Sequence, residues 1–316
     1  MIVPIFFSCE KERIYSQSEL ETIIALSSLE DRALAGPLVE DVFNEIIFTP
    51  QPEKYFNIKW IEISKFKKYK KYPNLLLVSL KNPIDSTIDN YINRFQNDIS
   101  SNNVVVIEDP FYGNQIMGII HSTDLFQFEH SLTPNKSWFF NQFKNHMLVN
   151  MGNYVFSKGV NQELNNYIKE HYEYSINLQK DFKIIKEDKK NQFLWLGRGY
   201  PYRWLIFFEV QGEFIQSDNL EDWDLLLQYM HKFIPSIEIS SHYRSFEIEQ
   251  YNKKQYNLYR GVYSHNESQT GGPFFTYLLN DKESIIFISG FVNSPGREKL
   301  FILNQLEILA KTINKE

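Results

Sequence analysis

Apolar residues in the first half of this chain fall into short runs that alternate with amphipathic stripes. Each stripe repeats its apolar residues every three or four positions, as one face of a helix requires, and each run has the length of a strand. The order of these segments matches the split βαβ pattern of ferredoxin-like folds. The stripes lie at 37–46 and 84–95, and the runs lie at 23–26, 58–63, 75–78, 104–107 and 116–120.

The second half returns to strands after a helical middle. Residues 203–208 are apolar on both faces, which predicts a central strand covered on both sides. The closing segment 297–313 predicts a helix whose Ile302, Leu306 and Leu309 pack against the strands before it. Together these patterns predict an α+β protein with largely antiparallel sheets packed against helices.

The same patterns divide the chain into four segments. Residues 1–16 form an anchor segment and tether, and residues 17–121 form the ferredoxin-like half. Residues 122–176 form a helical connection, and residues 177–316 form a C-terminal α+β half. No stretch of the sequence approaches the roughly 18 apolar residues that a membrane-spanning helix needs.

Charge argues against one class of partner. The 316 residues carry a net charge of −6, whereas a protein that binds nucleic acid needs a basic surface, so we expect no nucleic-acid partner. One basic run stands out, with five lysines between residues 65 and 71 interleaved with Phe66 and Tyr69. It is typical either of a contact with an anionic surface such as lipid headgroups or of a solvated turn closed by Pro73.

The single cysteine, Cys9, follows an apolar run at 2–7 and a small residue, Ser8, and charged residues come directly after it. This order is typical of the end of a bacterial lipoprotein signal, in which the cysteine thiol is acylated. The basic start of such a signal is missing and the apolar run is short, which a translation start placed too far downstream would explain. The alternative is a cytosolic protein that opens with a short buried strand.

Three glycine-marked blocks near the C-terminus carry the most specific pattern. They read Arg-Gly-Val-Tyr at 260–263, Thr-Gly-Gly-Pro-Phe at 270–274 and Gly-Phe-Val at 290–292, and Glu307 lies in the closing helix. These blocks resemble domain of unknown function 4837, a family of predicted lipoproteins from Gram-negative bacteria. A valine-tyrosine pair and Thr270 stand where that family has leucine-tryptophan and methionine. The resemblance implies a lipid anchor and an envelope location, and it supplies no catalytic residues.

Arg260, Gly271 and Gly272 form the candidate ligand-binding group, with Arg198 as a further member. Exposed backbone amides at a Gly-Gly turn, together with a guanidinium, can hold a carboxylate or another anion. The structural alternative is a turn that places Gly271 at positive φ, with Arg260 paired inside the fold to Asp281 or Glu307. We identify no catalytic residue, no cofactor-binding residue and no metal ligand in the sequence, and we expect no cofactor.

The sequence therefore predicts an envelope lipoprotein that acts as a binding or interaction module without catalysis. Its expected partners are the lipid bilayer, through an acylated Cys9, and an unidentified envelope protein or small ligand. Whether it faces the periplasm or the exterior stays open. The alternative is an envelope-associated hydrolase that uses acids such as Glu108 and Asp109.

Overall fold

The computed structural model forms two compact units, which are described separately below. The N-terminal unit comprises residues 1–45 and 55–154, and the C-terminal unit comprises residues 46–54 and 155–316. The helices between 122 and 176 are thus shared between the two units. The structure describes residues 13–80, 86–95, 103–212, 220–251, 254–268, 270–281 and 284–315.

The N-terminal unit is built on a five-stranded sheet in the order β4-β1-β5-β7-β6. Strands β4, β1, β5 and β7 run parallel to one another, and β6 runs antiparallel to β7. Parallel neighbours require long crossover connections, and helices and turns fill them here. The strands are β1 (Thr22–Leu26), β4 (Asn57–Ile61), β5 (Asn74–Ser79), β6 (Val104–Glu108) and β7 (Ile116–His121).

This strand order corrects the ferredoxin-like pattern predicted for the first half. The apolar run at 23–26 becomes β1, which pairs with β4 on one side and with β5 on the other, both in parallel. The split βαβ fold does not allow that arrangement, because each of its strands has at least one antiparallel neighbour. The α+β class itself is confirmed for the chain.

Helices cover both faces of this sheet. On one face Phe43 packs against Phe56 and Phe143, with ring centroids 5.9 and 5.3 Å apart. On the other face Ile88 and Ile92 join an apolar cluster with strand residues. The helices of this unit are α1 (Gln17–Leu20), α2 (Leu29–Val42), α3 (Phe66–Tyr69), α4 (Ser86–Arg94), α5 (Leu125–Leu132) and α6 (Lys136–Phe156).

The C-terminal unit is built on an eight-stranded antiparallel sheet. Its strands follow the order β12-β14-β15-β16-β11-β10-β9, and β13 also pairs with β14. The largest strands are buried along almost their whole length because helices cover both faces. The strands are β9 (Lys183–Asp188), β10 (Phe193–Arg198), β11 (Tyr202–Gln211), β12 (Ile237–Ile239), β13 (Ser245–Tyr251), β14 (Lys254–His265), β15 (Thr270–Asp281) and β16 (Ser284–Asn293).

Two short pairs and three helices complete this unit. Helix α8 joins the apolar cluster on one face of the sheet, and α9 packs on the other, chiefly against β16 and β15. Among the helices that the structure describes, none combines the length and apolar character needed to cross a bilayer. The remaining elements are α7 (Gln162–Tyr172), α8 (Leu220–Phe233), α9 (Leu300–Ala310), β2 (Ile46–Phe48), β3 (Pro52–Lys54), β8 (Tyr174–Ser175) and β17 (Asn314–Lys315).

Helix α9 is part of the core, as the sequence predicts. Leu306 and Leu309 are buried, whereas Ile302 is half-buried and Leu303 takes the deeper position. The helix starts later than predicted because the carboxylate of Glu53 caps it. Glu53 accepts hydrogen bonds from the backbone N–H groups of Lys299, at 2.8 and 2.9 Å, and of Leu300, at 2.7 Å. A carboxylate satisfies the free N–H groups of a helix N-terminus and complements its dipole.

Truncating Leu306 to alanine should lower the free energy of unfolding by about 2–5 kcal/mol, the usual range for a fully buried leucine. The side chain has no exposed surface, so the surrounding groups lose packing contacts that no other group replaces. Urea denaturation of the purified variant measures the change. Ile308→Ala, at a half-buried position of the same helix, should cost clearly less. Equal losses in the two variants would contradict this account of α9.

Candidate functional site

Arg260 lies in β14 on the face of the sheet that α9 covers, and carboxylates of the protein bind its guanidinium. Its Nε and Nη2 donate to the two carboxylate oxygens of Glu307 at 2.8 and 3.0 Å, which makes the pair bidentate. Its Nη1 donates to Glu247 of β13 at 3.0 Å. The side chains of Arg260 and Glu307 are 5% and 3% exposed, so this pair is shielded from solvent.

A second ion pair lies beside the first. Lys311 contacts Glu249 at 2.6 Å, and Tyr277 donates a hydrogen bond to the same carboxylate at 3.1 Å. Burial opposes ionisation of Glu249, but Lys311 and Arg260 outweigh it and hold the pKa of Glu249 below its ordinary value. Burial, assisted by the nearby carboxylates, raises the pKa of Tyr277, which therefore remains a hydrogen-bond donor.

This arrangement favours the structural alternative for Arg260. A guanidinium offers five N–H donors, and here at least three of them point at carboxylates of the protein itself. The bidentate geometry with Glu307 is the strong form of this interaction. Arg260 therefore ties β14 to α9, and an external anion would have to displace a buried carboxylate to reach it.

Gly271 and Gly272 lie within β15, and their predicted role in a turn is corrected. Among the described glycines, positive φ occurs at Gly159, Gly212 and Gly296, so neither residue of the pair adopts it. Close backbone approach explains them instead. A Cβ on Gly271 would collide with the carbonyl oxygen of Tyr263, and a Cβ on Gly272 with that of Val292. The pair lets three neighbouring strands approach closely.

Arg198 lies far from the Arg260 network. It ends β10, donates to Gln179 at 2.7 Å and forms an ion pair with Asp181. The sheet order places β16 and β15 between β11, the neighbour of β10, and β14. Four strand spacings, about 19 Å, therefore separate Arg198 from Arg260. The arginines singled out in the sequence do not converge on one ligand.

The remaining sequence candidates also lie apart. Cys9 is outside the described residues. Glu108 ends β6 and is exposed, and Asp109 closes the following loop by accepting a hydrogen bond from the Gln115 N–H at 3.2 Å. In the part of the chain that the structure describes, no three His, Cys, Asp or Glu side chains lie together as metal ligands would.

A polar cavity of about 600 Å³ opens in the C-terminal unit, at a place that sequence reasoning missed. Glu209 of β11 lies in its wall and is held by hydrogen bonds from its neighbours. Its carboxylate accepts a hydrogen bond from Tyr174 at 2.7 Å and forms an ion pair with Lys315 at 2.9 Å. The other lining residues are His171, Tyr172, Glu173, Lys190, Asn191, Gln192, Val210, Gln211, Tyr229, Lys232 and Phe233.

The charge of Glu209 is fixed by its surroundings. Burial would raise the pKa of Glu209, but hydrogen bonds from Ser284, Tyr174 and Lys315 outweigh it and lower the pKa below its ordinary value. Glu209 is therefore a carboxylate at neutral pH. Lys190 and Lys232 are exposed beside it, so the cavity presents both signs of charge. One signal was available in the sequence, since Glu209 is the only acid in the strand 202–211.

Comparison with known proteins identifies a family and distantly similar structures. Residues 161–312 match the family model described as Domain of unknown function (DUF4837). No curated protein matches this chain by sequence. A crystal structure from Bacteroides thetaiotaomicron VPI-5482 shares 10% identity over 46% of this chain and 45% of its own, with a TM-score of 0.29. LpqN of Mycobacterium tuberculosis, described as involved in cell envelope biogenesis, shares 11% over 45% of this chain and 82% of its own, with a TM-score of 0.28.

These structural similarities are too low to bear on function, and this chain spans less than half the length of the Bacteroides protein. The family match is more specific, because it contains every motif on which the resemblance rests. Arg260, the Gly-Gly pair and Glu307 all lie inside it, and the structure places them in one network and one set of closely packed strands. Residues 161–312 therefore match the DUF4837 family model, which is consistent with a divergent member of that family.

Proposed function

We propose that the protein is an envelope lipoprotein that acts as a non-catalytic binding module, and that the polar cavity beside Glu209 receives its ligand. The observation that carries this proposal is the cavity itself. A volume of about 600 Å³ suits a small molecule or a short stretch of a larger one. Amide, hydroxyl, ammonium and carboxylate groups line it, so the ligand that fits best is small, polar and carries a carboxylate that Lys190 or Lys232 can bind.

The electrostatics of the cavity favour binding over catalysis. A general acid or base works best when its pKa lies near the working pH. Glu209 has its pKa below the ordinary glutamate value, and three neighbours already bind its carboxylate. Such a group can hold a ligand or a lysine, but it is poorly suited to exchanging a proton with substrate. The alternative, an envelope-associated hydrolase, would need a differently tuned pair of acids.

Glu108 and Asp109 do not strengthen the hydrolase alternative. Both are exposed, and Asp109 also closes its own loop. A glycoside hydrolase, the best-known enzyme with two carboxylates, sets them on either side of a bound substrate. Asp109 lies outside β6 and uses a carboxylate oxygen to close its own loop, so the pair does not give that geometry.

The lipid anchor is supported by two independent observations. The residues around Cys9 follow the order of a lipoprotein signal. The C-terminal motifs resemble those of a family of predicted lipoproteins, and the model of that family matches residues 161–312. Acyl labelling of the protein expressed with its full upstream reading frame tests the anchor. Label should be present in the wild type and absent from Cys9→Ser, and label that persists in that variant would refute the attachment.

Ligand binding is tested with trialanine, a short peptide that carries a carboxylate. We expect chemical-shift changes in the ¹⁵N-labelled protein at cavity residues such as Gln192 and Gln211. Lys232→Glu should weaken binding several-fold because it places a carboxylate beside that of the probe. Lys180→Glu, an exposed lysine of the same unit outside the cavity wall, is the matched control. Shifts located elsewhere, or equal effects of the two substitutions, would contradict the proposal.

A further inference from the structure

The N-terminal unit carries a basic face around α3. Lysines dominate the segment that leads into, forms and follows this helix, and most of them are exposed. Arg94 of α4 lies over the ring of Phe111, as Lys70 does. Arg13, at the start of the described chain, donates a hydrogen bond to the backbone of Lys71. We use the term basic face for Arg13, Lys59, Lys65, Lys67, Lys68, Lys70, Lys71 and Arg94.

Aromatic rings bring these cations together. The ammonium groups of Lys59 and Lys68 lie over the ring of Tyr69, at 4.8 and 5.6 Å from its centroid, although the two lysines come from different elements. A hydrogen bond from Lys59, assisted by the nearby lysine charges, lowers the pKa of Tyr69 below its ordinary value. Positive charge is therefore concentrated at this ring.

A second ring continues the same face. Lys70 and Arg94 lie over Phe111, at 4.1 and 5.1 Å from its centroid, and Phe111 packs edge-on against Phe66 of α3 with centroids 5.6 Å apart. Cation–π contacts of this kind hold long side chains in place while their charged ends stay in water. The cations of α3 and α4 thus form one surface.

In the part of the chain that the structure describes, few acidic residues contact the cations of this face. Glu62 contacts Lys65 at 3.5 Å, and both side chains are more than half exposed, so the pair is weak. Glu19 contacts Arg13 at 2.6 Å. Asp109 lies at the neighbouring loop, where it accepts a hydrogen bond from the Gln115 N–H. The face therefore keeps a clear excess of positive charge, although the whole chain is acidic.

The N-terminal end of the described chain lies on this face. Arg13 donates a hydrogen bond to the carbonyl oxygen of Lys71 at 3.1 Å. Cys9 is four residues earlier in the sequence, and four residues span at most about 14 Å. An acyl group on Cys9 would therefore hold the face close to the bilayer, at a distance comparable to the Debye length of about 8 Å in physiological salt.

We propose that the basic face docks on the surface of an anionic phospholipid bilayer and orients the N-terminal unit on the membrane. The orientation rests on the proposed acylation of Cys9, whereas the affinity for anionic lipid rests on the face alone. Electrostatic attraction of this kind contributes about fivefold in partitioning for each lysine near the surface. Several exposed lysines provide measurable binding even without an acyl chain.

The test uses the full chain with Cys9→Ser, so that no acyl group contributes. Sedimentation with vesicles of phosphatidylcholine containing 30% phosphatidylglycerol should bring down the protein at low salt and release it as salt is added. Vesicles of phosphatidylcholine alone should not bind it. Lys67→Glu with Lys68→Glu should reduce partitioning about tenfold or more. The same change at two exposed lysines of the C-terminal unit, Lys158→Glu with Lys183→Glu, should leave it unchanged.

Three results would overturn the proposal. Binding to both vesicle types alike would show that charge is not the cause, and equal losses in the two double variants would show that the face is not the site. Equally tight binding to a single-stranded oligonucleotide would show a general polyanion surface. If acyl labelling failed while vesicle binding persisted, the anchor at Cys9 would be rejected and the basic face would remain a lipid-binding surface. The two proposals can therefore fail separately.

Discussion

Replacing Glu307 with alanine should lower the free energy of unfolding of the C-terminal unit by about 3–5 kcal/mol, the usual cost of removing one partner from a buried ion pair. Glu307 supplies both oxygens of the bidentate pair with Arg260, at 2.8 and 3.0 Å. Without it the buried guanidinium loses its bidentate partner and retains the more exposed carboxylates of β13. Urea denaturation, with the midpoint and slope measured together, gives the change.

Two companion variants separate charge from packing. Removing both charges in Arg260→Met with Glu307→Leu should restore much of the lost stability, because an apolar pair of similar size needs no desolvation of charge. Glu247→Gln should cost about 1 kcal/mol or less, since the side chain of Glu247 is 41% exposed. If Glu247→Gln were as damaging as Glu307→Ala, the buried pair would not be the main connection between β14 and α9.

Part of this network was predictable from the sequence. Arg260 lies in an apolar strand and Glu307 in an apolar helix, and charges in such elements are almost never buried without a partner. The pairing of these two residues was therefore one of the alternatives open at the start. The contributions of Glu249 and Lys311 were not predictable, because they depend on the register of β13 against β14.

The direction of the strands in the N-terminal unit was harder to predict. An apolar run such as 75–78 indicates a buried strand, but it has the same composition whether its neighbours run parallel or antiparallel. Parallel pairing of β5 with both β1 and β7 follows from how the intervening segments cross the sheet. The described parts of those segments include turns that leave no periodic signal, so the order of the sheet could not be read from the pattern.

The cavity in the C-terminal unit illustrates a second limit of sequence reasoning. Tyr174, Glu209 and Lys315 come from three distant parts of the chain and meet because β17 pairs with β8 beside β11. No spacing along the sequence connects them. Glu209, an acid inside an apolar strand, indicated one wall of the cavity from the sequence. The other lining residues come together only in the folded unit.

Gly272→Ala should destabilise the C-terminal unit by about 1–3 kcal/mol or more, as overpacking of a well-packed site does. The new Cβ would lie well under 3.0 Å from the carbonyl oxygen of Val292, a backbone atom of β16 that cannot rotate away. That oxygen also accepts a hydrogen bond from the hydroxyl of Tyr263 at 3.3 Å. Burial raises the pKa of Tyr263, so the hydroxyl remains protonated and the bond would be stretched or lost as β16 moves.

The reason for this effect is close approach of strands and not backbone strain, and a control can distinguish the two. Gly199 lies in the same unit, has no atom within 4 Å of an added Cβ and does not adopt positive φ, so Gly199→Ala should leave the melting temperature nearly unchanged. In the Gly272→Ala variant, amide exchange should accelerate at the ends of β15 and β16, where the strands are pushed apart, before it changes at α8. Uniform acceleration across the unit, or a melting temperature equal to that of the wild type, would show that this sheet tolerates the displacement and that Gly272 has another role.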